Sequence, residues 1–197
     1  MTFTAFIAQF DKPGVVVLLE GKREVKEADQ QKLIDLGNML CKGSQHMLFR
    51  SGNAPGADCC FSKGVAQVNA QRLQVITPYN GHRQAANVAH STISLEDINL
   101  VEEPEVVYQS KSNKKTENLI SPFVDGTRNP ITIKAAYIIR DTIKVIGTSS
   151  GVPPCNVALF YDDLETPRTG GTGHTMKICE ANAIPFYDQR VWMEWFG

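Results

Sequence analysis

Two glycine-rich segments, residues 51–58 and 169–175, each follow an apolar run and precede a segment with helical spacing of apolar residues. In an α/β sheet such turns lie at the carboxyl ends of the strands, where the next helix presents unpaired backbone N–H groups and a partial positive charge. Phosphate groups bind readily at such a place. The two segments therefore predict a parallel α/β sheet with a nucleotide-like ligand at its carboxyl edge.

Apolar runs of strand length alternate with amphipathic helical segments along most of the chain. The run at residues 15–19 is β-branched and apolar on both faces, which is typical of a central parallel strand. This alternation predicts βαβ units and a Rossmann-like, doubly wound, mostly parallel sheet of five or more strands. The predicted strands are residues 15–19, 46–50, 73–76, 157–161 and 184–187, and the predicted helices are residues 26–42, 57–68, 133–146 and 174–183.

Residues 79–130 show no sustained hydrophobic period, although residues 88–98 and 105–109 are suited to short elements. A loop of this length is seldom a neutral connector. We predict an insertion after the third strand that either covers the ligand or forms an oligomer interface. The chain has 197 residues, of which 42% are hydrophobic, so residues 1–197 are expected to form one domain.

Residues 191–197 are the most aromatic stretch of the chain. Aromatic side chains bury most of their area, so we expect them to pack on the edge of the sheet or against a second copy of the chain. Stacking on nucleic-acid bases is the alternative. The chain is accordingly expected to form a homo-oligomer.

The formal net charge of −1 argues against a surface built entirely for nucleic acid. One basic cluster, Lys111, Lys114 and Lys115, lies in a polar stretch with Ser112 and Asn113. It is interpreted either as a solvated loop or as a local patch for single-stranded DNA.

The sequence has no apolar run long enough to span a membrane and no signal-peptide pattern at residues 1–11, so we expect a cytoplasmic protein. The five cysteines are odd in number and show no Cys-x-x-Cys spacing. This pattern favours reduced, buried thiols over disulfides, and no metal site is predicted.

Neither glycine-rich turn matches a common nucleotide fingerprint. The run from Gly52 to Gly56 is not followed by the Lys-Ser/Thr pair of a P-loop. The run Gly171-Thr172-Gly173 lacks the third small residue of the dinucleotide pattern. ATP hydrolysis is therefore poorly supported.

The order of these motifs resembles that of the SLOG superfamily, which includes the DNA-processing protein DprA and the LOG phosphoribohydrolases. The resemblance rests on a strand ending in Gly21-Lys22-Arg23, a second ending in residues 51–58, and Gly170-Gly171-Thr172-Gly173 before a helix. It is greatest for small DprA-like proteins of phage and bacterial genomes. It implies a sheet of order 3-2-1-4-5, with the topological switch between the first and fourth strands, and a ligand beside the turns.

Backbone amides at these turns, with Lys22 or Arg23 as counter-charge, are expected to hold a phosphate or diphosphate. Asp163 follows the fourth strand, where a carboxylate binds a ribose diol or acts as a general base. His174 is expected at a helix amino end, neutral and able to donate a hydrogen bond to the ligand. Asp58 is interpreted as a cap for N–H groups. The candidate ligand-binding residues are Gly21, Lys22, Arg23, Ser51, Gly52, Asn53, Ala54, Gly56, Asp163, Gly170, Gly171, Thr172, Gly173 and His174.

The hydrolase branch of the superfamily reads Pro-Gly-Gly-x-Gly-Thr-x-x-Glu, and Lys177 stands at the position of its catalytic glutamate. We therefore favour a non-catalytic protein that senses or sequesters a nucleotide or a nucleotide-derived, phosphate-containing ligand. A DprA-like protein that binds single-stranded DNA in recombination is one alternative. A divergent nucleotide hydrolase is the other, with catalysis by Asp162, Asp163 or Glu165 left open.

Overall fold

The computed structural model describes residues 1–111 and 114–197, apart from the side chain of Lys115. It contains a six-stranded, all-parallel sheet of order β4-β3-β2-β1-β5-β6, which confirms the Rossmann-like doubly wound fold. The order is the expected one with an additional edge strand, β4, and the topological switch lies between β1 and β5. The strands are β1 Val16–Gly21, β2 Leu48–Ser51, β3 Leu73–Thr77, β4 Ser91–Ser94, β5 Val157–Tyr161 and β6 Phe186–Asp188.

Helices cover both faces of the sheet. They are α1 Phe3–Phe10, α2 Glu27–Gly43, α3 Ala57–Asn69, α4 Pro104–Ser110, α5 Lys114–Val124, α6 Ile133–Ile146, α7 Gly170–Ala181 and α8 Gln189–Trp192. Strand β1 contributes to the hydrophobic core on each face of the sheet. Val17 and Leu19 pack with α2 and α3, and Val16 and Leu18 pack with residues of α7. This two-sided burial is the reason that its sequence is apolar at successive positions.

Residues 79–130 contain strand β4 and helix α4, which lie where short elements were expected, and helix α5, which was not predicted. Val106, Ile120 and Phe123 from this segment pack against Ile139 of α6 and Ile76 of β3. The segment is therefore part of the core on one face of the sheet. Its short elements gave no sustained period for the sequence analysis to detect. Its role in covering a ligand or meeting another copy stays a prediction.

The carboxyl-terminal aromatic stretch folds onto the sheet, which is the first of its expected arrangements. Trp192 is fully buried and its Nε1 donates to the carbonyl oxygen of Phe160 at 3.0 Å. Trp195 packs against Phe6 of α1, and its Nε1 donates to the carbonyl oxygen of Met1 at 2.9 Å. The rings of these tryptophans are thus occupied within the fold, and base stacking by Trp192 is excluded by its burial.

All five cysteines lie within the described residues and carry free thiols; four are buried and Cys59 is partly exposed. Across residues 1–111 and 114–197, no helix combines the length and the apolar character that crossing a bilayer requires.

Glu103 ties residues 79–130 to the loop that follows α6. Its carboxylate, only 3% exposed, accepts hydrogen bonds from the backbone N–H groups of Ser149 and Ser150 at 2.7 and 3.0 Å. The Ser149 hydroxyl donates to it as well, at 3.0 Å. Burial opposes ionisation, but these donors outweigh it and hold the pKa of Glu103 below its ordinary value.

We expect Glu103→Gln to lower the free energy of unfolding at pH 7 by about 1–3 kcal/mol, because charge-assisted hydrogen bonds are lost. The wild-type contribution is present above the unfolded-state pKa of about 4.3 and is lost as pH falls through the lower folded-state pKa. Urea unfolding at pH 7 and in acid should therefore show the two proteins converging in acid. The exposed Glu105→Gln is the control, and equal stability of wild type and Glu103→Gln at pH 7 would contradict the expectation.

Candidate functional site

A cavity of about 950 Å³ lies at the carboxyl ends of β1 and β5, at the topological switch. Its walls are the loop after β1, the loop after β5, the first turn of α7 and one side of α6. Leu119 of α5 also contacts it, so residues 79–130 contribute to the wall. The candidate residues that line it are Gly21, Lys22, Arg23, Ala54, Asp163, Gly170, Gly171 and Thr172.

The other candidates from the first glycine-rich segment lie behind the cavity wall. Ser51 is fully buried at the end of β2. The carbonyl oxygen of Gly52 accepts a hydrogen bond from Arg140 Nη1 at 2.6 Å. Asn53 adopts a positive φ of 55°, and its side-chain amide donates to the carbonyl oxygen of His82 at 3.2 Å. These residues fix the shape of the loop, and direct ligand contacts from them stay a prediction.

Gly56 also shapes this loop, because its φ of 82° suits glycine and a Cβ there would collide with the backbone of Arg23. Gly21 is needed for a different reason: a Cβ at that position would collide with the carbonyl oxygen of Tyr161 on the neighbouring strand. The backbone therefore approaches another backbone segment closely at Gly21 and at Gly56.

The second glycine-rich segment forms the first turn of α7, because this helix begins at Gly170 and not at the predicted residue 174. The expectation that His174 stands at the helix amino end is therefore wrong. His174 lies a turn into the helix, where its Nε2 is 3.1 Å from Thr142 Oγ1 of α6, and burial lowers its pKa. Gly173 packs against the backbone of Arg168. Neither His174 nor Gly173 lines the cavity.

Asp58 joins the loops that follow β1 and β2. Its carboxylate is almost fully buried and accepts hydrogen bonds from the N–H groups of Gly21 at 3.2 Å, Gly52 at 3.2 Å and Ala54 at 3.3 Å. It thus caps N–H groups, as predicted, but those at the end of β1 and in the first glycine-rich segment rather than those of its own helix. Its position connects the end of β1 to that segment.

A buried charge network that the sequence analysis did not anticipate forms part of the cavity wall, which Glu20, Arg140 and Asp141 line. Lys144 of α6 is fully buried, with its Nζ 2.7 Å from Glu20 Oε2 and 2.9 Å from Asp141 Oδ1. Arg140 contacts the same Asp141 oxygen at 2.7 Å. Thr175 of α7 donates to Glu20 Oε1 at 2.9 Å. The network therefore connects β1, α6 and α7 through buried ion pairs and a hydrogen bond.

Glu20 and Asp141 have opposite pKa shifts within this network. Burial raises the pKa of Glu20 to about 7, since the nearby carboxylates add to the desolvation that Lys144 only partly offsets. For Asp141 burial also opposes ionisation, but Arg140 and Lys144 outweigh it and hold the pKa low. Both oxygens of Glu20 already have donors. Its geometry fits a positioning role rather than contact with a ligand.

The basic side of the cavity combines a helix amino end with two side chains. The side chain of Thr169, the N-cap residue of α7, does not cap the helix, and Gly170 and Gly171 are exposed. Lys22 Nζ donates to Thr169 Oγ1 at 2.7 Å, so it stands beside this helix end. Arg23 is exposed, with its guanidinium 5.8 Å from the centre of the Tyr137 ring. Such a surface can hold a phosphate with its N–H groups and counter-charges.

The acidic side of the cavity presents two neighbouring carboxylates that differ in their hydrogen bonds. Asp163 is held in a local turn, accepting from Glu165 N at 2.9 Å and Thr166 Oγ1 at 2.7 Å, and these bonds lower its pKa. Asp162 is only 4% exposed; its Oδ2 accepts from the backbone N–H of Arg168 at 2.7 Å. Its buried Oδ1 has no hydrogen-bond partner within the described part of the chain. Asp162 lines the cavity, and its Oδ1 is an acceptor that no donor among the described residues uses.

The position of the hydrolase glutamate offers no acid to the cavity. Lys177 is exposed, and the nearby Glu180 pairs with Arg168 at 2.6 Å on the surface. In residues 1–111 and 114–197, no three His, Cys, Asp or Glu side chains are arranged to hold a metal ion. In the predicted basic cluster, Lys111 is half-buried and Lys114 is exposed. The other parts of that cluster, namely Ser112, Asn113 and the side chain of Lys115, lie outside the described residues.

These features define an α/β protein of Rossmann-like fold with a ligand-sized cavity at the switch point. No protein-family model matches the sequence, and no curated protein matches it either. The chain is similar in structure to DNA processing protein A (DprA) from Helicobacter pylori, with a TM-score of 0.53 and 14% sequence identity over 92% of this chain and 67% of that chain. That structure describes a unique mode of single-stranded DNA binding. The likeness shows a shared DprA-like fold, and membership of the SLOG superfamily stays a prediction.

Proposed function

We propose that the chain binds a nucleotide or nucleotide-derived ligand in the cavity at the carboxyl ends of β1 and β5, as a sensor or a sequestering protein. The observation that carries this proposal is that one cavity is lined both by the uncapped amino end of α7 and by Asp162, whose buried Oδ1 has no hydrogen-bond partner among the described residues. A phosphate would accept from the N–H groups at the start of α7, beside Lys22. A ribose hydroxyl would donate to Asp162 Oδ1. An unpaired buried acceptor costs about 1–3 kcal/mol, which this hydrogen bond offsets.

The mixed charge of the cavity supports a compact ligand. A surface that follows a DNA backbone is mainly basic, because each phosphate needs a counter-charge. This cavity carries both signs, as suits a ligand that has a phosphate at one end and hydroxyl or amino groups at the other. The accessible charged residues along it are Lys22, Arg23, Lys26 and Lys134 on the basic side and Glu24, Asp29, Asp163 and Glu165 on the acidic side.

Binding of single-stranded DNA is the second candidate. The fold is that of a protein described as binding single-stranded DNA, and Arg23 beside the Tyr137 ring offers a surface for base stacking. A DNA sugar lacks the 2′-hydroxyl, so it would use the Asp162 acceptor less well than a ribose does. The two candidates therefore differ in their dependence on this carboxylate.

The test compares Asp162→Asn with its neighbour Asp163→Asn by isothermal titration with the four ribonucleoside 5′-monophosphates. In Asp162→Asn the amide oxygen can keep the bond from Arg168 N, but the –NH₂ group in place of Oδ1 cannot accept from a hydroxyl. We expect about tenfold weaker binding, equivalent to about 1.4 kcal/mol. Asp163→Asn leaves the cavity acceptor intact, so its affinity should stay within about twofold of wild type.

The same proteins are titrated with fluorescent single-stranded oligodeoxythymidine at several salt concentrations. DNA binding that is tighter than ribonucleotide binding and steeply salt-dependent would replace the ribonucleotide proposal with the second candidate. Failure of all four ribonucleotides to bind would overturn the proposal outright. Mass spectrometry of small molecules that co-purify with the wild-type chain then identifies the natural ligand class.

A further inference from the structure

A second cavity, of about 280 Å³, lies at the carboxyl ends of β3 and β4, on the same edge of the sheet as the main cavity. We infer that it holds the base or pentose of a second nucleoside unit, so that the preferred ligand is of dinucleotide size. This inference rests on the proposed function and specifies its substrate class. The residues that carry it are Thr77, Asn80, His82, Ser94 and Asp97, which line the cavity, and Tyr137, which lines the main one.

Three aromatic rings in mutual contact separate the two cavities, since His82 lines the second cavity and Tyr137 lines the main one. The His82 ring lies 5.7 Å from the Tyr137 ring, centre to centre and nearly perpendicular, and Tyr79 packs edge-on against both at 4.8 and 6.4 Å. The Asn53 amide donates to the carbonyl oxygen of His82 and so links this wall to the glycine loop behind the main cavity. A ligand with one unit in each cavity would therefore lie across the His82–Tyr137 contact.

The lining of the second cavity suits a base or a sugar. It offers hydroxyl and amide groups and one carboxylate, Asp97, and the described residues that line it include neither lysine nor arginine. It therefore provides hydrogen-bond partners but no counter-charge for a phosphate. Its volume falls slightly below the usual range for a complete ligand site, about 300–1,000 Å³, which suits one part of a larger molecule.

Two polar groups at this cavity lack strong partners. His82 is 8% exposed, and its buried Nδ1 has no hydrogen-bond partner within the part of the chain that is described. The Thr77 hydroxyl is nearly fully buried and, among the residues that the structure describes, makes only a long bond of 3.4 Å to the carbonyl oxygen of Ile93. Burial and the charges of Arg140, Arg83 and Arg23 lower the pKa of His82. A neutral imidazole has one donor and one acceptor, as base edges require.

The experiment titrates the wild-type chain with the four ribonucleoside 5′-monophosphates and with the four 5′-phosphorylated homodinucleotides. We expect a dinucleotide to bind at least about tenfold more tightly than its monophosphate, because the second unit binds at high effective concentration. Thr77→Val removes a hydroxyl at nearly constant volume, and His82→Phe replaces the polar imidazole with a somewhat larger apolar ring. Each should reduce this advantage to about twofold or less and leave monophosphate binding unchanged.

Matched controls are Thr4→Val on α1 and His90→Phe, since both residues are exposed and line neither cavity. They should keep the full dinucleotide advantage. An advantage that persists in both Thr77→Val and His82→Phe would overturn the assignment to the second cavity.

Equal affinity of the wild type for monophosphates and dinucleotides would overturn the inference while the proposed function stands. If none of the four monophosphates binds, the proposed function itself fails. One measurement needs no variant: in the amide NMR spectrum of the wild type, Thr77 and Ser94 should shift with the dinucleotide and not with the monophosphate. Equal shifts with both ligands would contradict the second subsite.

Discussion

Lys144→Met is expected to lower the free energy of unfolding by about 3–5 kcal/mol, because it removes one partner from a buried ion cluster. The Lys144 ammonium is fully buried and lies within 3 Å of both Glu20 and Asp141, at 2.7 and 2.9 Å. Without it, Asp141 keeps Arg140, whereas Glu20 keeps the Thr175 hydroxyl as its one remaining partner within residues 1–111 and 114–197. Urea unfolding at pH 7, followed by circular dichroism, measures the loss.

Lys32→Met is the matched control, because Lys32 is 50% exposed and its pair with Asp29 at 3.4 Å is a surface contact. Its cost should stay below about 1 kcal/mol. Unchanged or increased stability of Lys144→Met would show that the buried cluster is dispensable for the fold.

Glu20→Gln provides the pH test of the same cluster. Because the folded-state pKa of Glu20 is raised to about 7, its stabilising contribution is complete below the unfolded-state pKa and is lost as pH rises through 7. Glu20→Gln should therefore remove a decline in wild-type stability between about pH 4.3 and pH 7.

Trp192→Ala is expected to cost about 3–5 kcal/mol, the usual range for deletion of a large buried aromatic side chain. Trp192 is fully buried, and its ring meets Phe61 edge-on at 6.1 Å between centres. Its Nε1 also donates to the carbonyl oxygen of Phe160 in β5 at 3.0 Å. The substitution would thus leave a void between α3 and β5 and an unpaired carbonyl group at the strand that borders the main cavity.

Two further variants separate these causes. Trp192→Phe keeps most of the apolar volume and loses the N–H donor, so it should cost less than Trp192→Ala by about 2 kcal/mol. Phe196→Ala is the surface control, since this ring is 41% exposed. Equal urea midpoints for Trp192→Ala and wild type would mean that the carboxyl-terminal aromatic stretch does not stabilise the sheet.

The prediction of secondary structure was most accurate where the hydrophobic period was long or both faces of a strand were buried. Helix α6 and strand β5 have the predicted bounds, Ile133–Ile146 and Val157–Tyr161. Strand β4 and helix α4 lie where only short elements of unspecified type were expected, and helix α5 was not predicted, because each of the three owes its order to packing against α6 or β3. Helix α1 was likewise not predicted, although Phe6 and Phe10 are buried at its contact with the carboxyl-terminal segment.

The residues of the candidate site were predicted unevenly. Turn chemistry indicated Gly21, Lys22 and Gly171, which line the main cavity. The same reasoning chose Asp163 as the carboxylate of the site, whereas it is the adjacent Asp162 that has a free buried oxygen. Both follow the same strand and carry the same group. Only the local turn, which occupies the oxygens of Asp163, distinguishes them.

The sequence by itself determined the parallel sheet and the edge at which a ligand is expected. These two properties follow from local signals: apolar strands, helical periods and glycine turns whose direction is set by the strand before them. The position of the switch point was implied by the resemblance to the SLOG superfamily. Only the tertiary structure decided the charge network in the cavity wall, since Glu20 and Lys144 are 124 positions apart in the chain. It likewise decided the second cavity and the free acceptor of Asp162. Such features depend on distances and burial between distant segments, which no local pattern encodes.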